Sequence, residues 1–84
     1  GKYKQNFINI VTPLANNITL DGNLIPNNKF TPFGDGKWMV LRQPIFQGNH
    51  LIKATKAIGV VVYGWDKDVS YGYPAGLKVV PTKP

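Results

Sequence analysis

Seven prolines and nine glycines punctuate these 84 residues, and no stretch of a dozen carries apolar side chains at the i, i+3, i+4 spacing of a helix. Glutamate is absent and alanine sparse, which removes the strongest helix formers. What remains is a series of short β-branched and aromatic runs broken by turn residues. Such a chain is predicted to be all-β: an antiparallel β-sandwich, jelly-roll-like, of about seven short strands. A single domain over 1–80 is expected, with 81–84 as a tail.

The runs can be placed. In "NFINIV" (6–11), Phe7, Asn9 and Val11 alternate with Asn6, Ile8 and Ile10, and the strand ends at Thr12-Pro13. "NITLDGNLI" (17–25) reads as a hairpin, since Asp21-Gly22 tolerates the positive φ angles of a two-residue type I′ turn. Ile18 and Leu20 would face inward. "NNKFTPFGDG" (27–36) reads as a loop pinned to the core by Phe30 and Phe33. In "KWMVLRQPIFQ" (37–47), Met39, Leu41 and Ile45 share one face and Trp38, Val40, Arg42 and Phe46 the other. Pro44 lacks a ladder N–H, which predicts an edge or a bulge there. "HLIKAT" (50–55) reads as a half-exposed strand. "IGVVVYGW" (58–65), the most apolar segment, is expected to be a central strand buried on both faces, with "LKVV" (77–80) beside it.

A chain this short buries only roughly 60% of its unfolded surface. Without cysteine, no disulfide or thiolate metal site can staple it, so the core or an oligomer interface must stabilise it. The opening "GKYKQ" has no apolar signal-peptide core, and a start on glycine reads as part of a longer chain. No apolar run approaches the roughly 20 residues of a membrane span, so membrane insertion is not expected. The net charge of +6 comes from ten lysines and arginines against four aspartates. These cations are spread through the chain, and neither a basic cluster nor an RNA-binding signature accompanies the rings. A solvated surface is expected rather than a nucleic-acid site. A small basic β-barrel binding nucleic acid remains a third-ranked alternative.

Catalytic chemistry finds little support. Ser70, His50 and either Asp66 or Asp68 could be assembled on paper into a triad, but nothing resembles a nucleophile elbow. With one histidine and no glutamate, few groups could have their pKa values pushed apart, and no enzyme is expected. Asp66 and Asp68 offer too few oxygens for calcium, so no metal and no cofactor is expected. "NIT" (17–19) matches the N-glycosylation sequon, a weak signal by itself.

"VVVYGWDKDVSYGYPAGLKV" (60–79) is the most distinctive stretch. Gly64 permits a bulge, Asp66-Lys67-Asp68 cross a loop, and Pro74 holds Tyr73 out of the helical region. Tyrosines with apolar bodies and polar tips suit the lip of a core or a contact surface. "VVVYGW" followed by "SYGYPAG" resembles the end of the IgGFc-binding protein N-terminal domain family, in which a "vyGf…SYGYPaG" element recurs. "ITLDG" and "GNHLIKA" (48–54) are similar to that family's "v.ldG" and "G.H.i.a" strands. The resemblance covers most of the chain and the C-terminal portion of the longer family domain. It implies a secreted or surface-exposed module of large modular or adhesive proteins, hence an extracellular or cell-surface location.

From side-chain chemistry, Trp65, Tyr71 and Tyr73 are expected to supply stacking area for a ligand. Asp66, Lys67, Asp68 and Asn49 would supply hydrogen bonds at the same rim. The expected function is that of an adhesin module, at a fibre tip or stalk, binding a glycan or protein on a target surface. The alternative is a capping or oligomerising head of a fibrous surface protein, with a trimer as the expected homo-oligomer.

Overall fold

The structure, a computed structural model, describes residues 6–46, 48–63, 69–70, 73–74 and 76–82, with backbone alone at 69–70 and 73–74. The chain forms β1 (Asn6–Pro13), β2 (Ile18–Leu20), β3 (Asn23–Leu24), a 3₁₀ turn (Asn27–Lys29), β4 (Thr31–Phe33) and β5 (Trp38–Ile45). There follow β6 (His50–Ala54), β7 (Gly59–Tyr63), β8 (Val69–Ser70), β9 (Tyr73–Pro74) and β10 (Leu77–Pro81). Two four-stranded sheets result, ordered β4-β5-β1-β7 and β10-β6-β2-β3, and β8 and β9 pair separately. The protein is a small β-sandwich. No helix among the described residues is long and apolar enough to cross a membrane.

Alternation builds the core. β1 sends Asn6, Ile8, Ile10 and Thr12 inward and leaves Phe7, Asn9, Val11 and Pro13 partly exposed on the other face. Ile8 and Ile10 meet Ile18, Ile45, Ile52, Ala54 and Leu77 in the buried cluster, with Met39, Leu41, Val60, Val62 and Val79 packed around it. Fully burying one such aliphatic side chain is worth roughly 1.5–3 kcal/mol. Asp21 and Gly22 take φ values of 52° and 85°, the positive pair that the type I′ hairpin requires. Ile18 is buried and Leu20 packs on the core, as the alternation predicts.

Several expectations need correction. The described residues contain ten strands rather than about seven, because the very short β4, β8 and β9 add to the runs read from the sequence. Phe30 is buried, but Phe33 stays 43% exposed on the outer face of β4. β5 runs unbulged through Pro44, which pairs with Phe7. β4 covers only Trp38 to Val40, so among the described residues β5 is open on that side where its proline lies, the edge alternative of the sequence reading. β7 is an edge strand rather than a central one: it pairs with β1, and its burial alternates. An apolar run alone does not reveal how many faces are covered.

β10 is not beside β7 either. It joins the opposite sheet, parallel to β6, with Leu77 opposite His50 and Pro81 opposite Ala54. The parallel direction follows from the path. β6 runs from His50 to Ala54, β7 returns in the other sheet, and the chain re-enters at Leu77 level with His50. Tyr63, Asn6, Ile45, His50 and Leu77 therefore share one pole of the sandwich.

Candidate functional site

Register assembles a surface from residues that are far apart in sequence. On the outer face of β4-β5-β1-β7, Phe33 lies beside Trp38 and Trp38 beside Pro13. Further along, Val11 lies between Val40 and Gly59, Asn9 between Arg42 and Val61, and Phe7 between Pro44 and Tyr63. The rows from Pro13 to Phe7 span roughly 20 Å at about 3.4 Å per residue. Trp38 is 46% exposed and Tyr63 47%. The Arg42 guanidinium sits 4.2 Å from the centre of the Phe7 ring, a cation–π contact that stiffens the arginine over the sheet. Asn9 Nδ2 donates to the Tyr63 hydroxyl at 3.3 Å. In a molecule of net charge +6, Arg42 is the single charge in these paired rows.

The shared pole carries a second, polar arrangement. The type I′ turn lifts Asp21 over β6, where its backbone N–H donates to the Leu51 carbonyl at 2.8 Å. Asp21 Oδ1 accepts the Leu51 N–H at 2.8 Å, and Oδ2 lies 2.7 Å from His50 Nδ1. His50 Nε2 in turn faces the Phe46 carbonyl. Each ring nitrogen thus meets an oxygen atom. Burial acts to raise the Asp21 pKa. The His50 hydrogen bond, the Leu51 N–H and the His50 charge outweigh it and hold the carboxyl below its ordinary value.

These groups line a depression of about 390 Å³ together with Asn49, Gly76 and Lys78. No group of three or more His, Cys, Asp or Glu converges among the described residues. The Asp21–His50 pair ties a turn to a strand.

Of the residues expected to form the site, Trp65, Asp66, Lys67, Asp68 and Tyr71 lie outside the described residues. The backbone of Tyr73 pairs with Ser70 in the β8–β9 ladder, and its side chain is not described. Asn49 is exposed at the pole, beside the Asp21–His50 pair. The sequence reading did not pair Asp21 with His50, because 29 residues separate them and no local signal links them. It did place Trp38, Val40 and Arg42 on one face. It did not place Phe7, Tyr63 and Phe33 there, because only strand register does so. No protein-family model, no curated protein and no solved structure matches the chain.

Proposed function

We propose that this chain is a non-enzymatic recognition module of a secreted or cell-surface adhesive protein, and that the outer face of β4-β5-β1-β7 is its binding surface for a glycan or protein. The observation that carries this reading is the exposure of Phe33, Trp38 and Tyr63 along one flat, almost uncharged face of a basic molecule. Exposed apolar patches of this kind mark contact surfaces, and Trp, Tyr and Arg are the side chains that most often dominate binding energy. The rings offer area to a sugar's C–H face or an apolar side chain, while the Tyr63 hydroxyl and Arg42 offer directional hydrogen bonds. The resemblance of "VVVYGW…SYGYPAG" and "GNHLIKA" to the IgGFc-binding protein N-terminal domain family supports an adhesive, extracellular setting.

The second surface in this proposal is the rim of Trp65, Tyr71, Tyr73, Asp66, Lys67, Asp68 and Asn49, all of which but Asn49 follow β7 in sequence. Glycan arrays and cell-binding assays on Trp38→Ala, Arg42→Ala and Trp65→Ala separate the two. A hot-spot ring contributes about 2 kcal/mol or more, so its loss weakens binding roughly thirtyfold. Loss with Trp38→Ala at an unchanged circular-dichroism spectrum supports the sheet face, and loss only with Trp65→Ala moves the site to the rim. A wild-type chain that binds neither glycans nor cells ends the reading.

A further inference from the structure

We infer that β7 is the contact through which two copies of this chain associate, as an antiparallel pair centred on Val61. The two sheets end in four edges, β3, β4, β7 and β10. Native sandwiches guard such edges with brevity, proline or charge. β3 has two residues, and β4 has three with Pro32 in the middle. β10 carries the exposed Lys78 and ends on Pro81. β7 has five residues, Gly59-Val60-Val61-Val62-Tyr63, and none of these devices. Its only ladder is with β1, so among the described residues its other edge has no strand partner.

The occupant follows from the strand's own symmetry and charge. A two-fold axis at Val61 sets Val61 against its copy, Val60 against the partner's Val62, and Gly59 against the partner's Tyr63. Residues that face outward then meet residues that face outward, and inward-facing valines meet one another. Glycine opposite tyrosine leaves room for the ring. Two bodies of +6 repel at most approaches, but residues 57–63 carry no charge, so this edge lets them meet without opposing cations. Pairing would join the two outer faces into one eight-stranded sheet surface, with the two Phe7–Arg42–Tyr63 groups at opposite ends of the new seam. This inference concerns the edge and does not depend on what the face binds.

Val61 is 49% exposed, so a charged side chain is accommodated in the monomer. Sedimentation equilibrium of the wild-type chain is expected to show a reversible monomer–dimer equilibrium in the micromolar to sub-millimolar range. Hydrogen exchange should slow at β7 amides as concentration rises. Val61→Lys and Val61→Asp each place like charges across the axis and weaken self-association at least about tenfold. Mixing the two variants opposes lysine to aspartate and restores a dimer, a rescue that a merely misfolded variant could not give. A wild-type monomer throughout that range overturns the proposal. So do a trimer or larger aggregate, a dimer insensitive to both variants, and two folded variants that do not associate when mixed.

Discussion

Asn16 is buried to 2% exposure, and every polar atom of its side chain is used. Its Nδ2 donates to Thr12 Oγ1 and to the Lys56 carbonyl, both at 3.0 Å, and its Oδ1 accepts the Lys56 N–H at 2.8 Å. One amide thus closes the backbone of the β6–β7 corner against the β1–β2 corner, with Ala15 held at φ 57° beside it. Asn16→Ala leaves the part-buried Lys56 N–H and carbonyl and the buried Thr12 hydroxyl without their amide partner, and an unsatisfied group costs about 1–3 kcal/mol where water cannot reach it. A loss of about 2–3 kcal/mol in chemical denaturation is expected, and a loss under about 0.5 kcal/mol would show that water substitutes for the amide. Asn6 is the opposite case. Its fully buried amide has no partner among the described residues.

At the scale of elements, the pole is held by a close backbone approach. The Gly76 carbonyl accepts the His50 N–H at 2.7 Å, and a Cβ on Gly76 would come within 2.6 Å of the Gly48 carbonyl. Gly76 also sits at φ 91°. Gly22 has a similar φ of 85°, but a Cβ there would meet nothing within 4 Å. The comparison separates strain from collision. Gly22→Ala is expected to cost about 1 kcal/mol of backbone strain. Gly76→Ala adds the clash and should lower the melting temperature by about 10 °C or more. Equal shifts for the two variants would mean that the 48–49 segment yields freely, and that the pole depression is not rigidly shaped.

For the whole molecule, stability responds to pH through Asp21. Its folded pKa lies below the ordinary value of 3.8, so the folded state binds the proton less readily than the unfolded chain. The stabilisation is therefore complete above about pH 4 and is lost as pH falls through the depressed folded value. The carboxyl is partly exposed, so solvent screens part of the effect. Denaturation midpoints measured from pH 6 down to pH 2 should fall for the wild type and fall less steeply for Asp21→Asn. Parallel acid limbs would place the sensitivity in other aspartates.

The class of fold, the strand alternations and the type I′ turn were legible in the sequence, because each depends on residues within a few positions of one another. The 58–63 run was misjudged for the converse reason. An apolar pentapeptide looks the same at an edge as at a centre, and only the neighbours it acquires distinguish them. The same holds for the surfaces. Phe7, Arg42 and Tyr63 become one cluster, and Asp21 and His50 one ion pair, through register across strands distant in the chain. Composition and periodicity by themselves determined that this protein is a β-sandwich with rings to spare. Tertiary structure decided which rings face solvent together, because long-range pairing is set by the packing of the whole core.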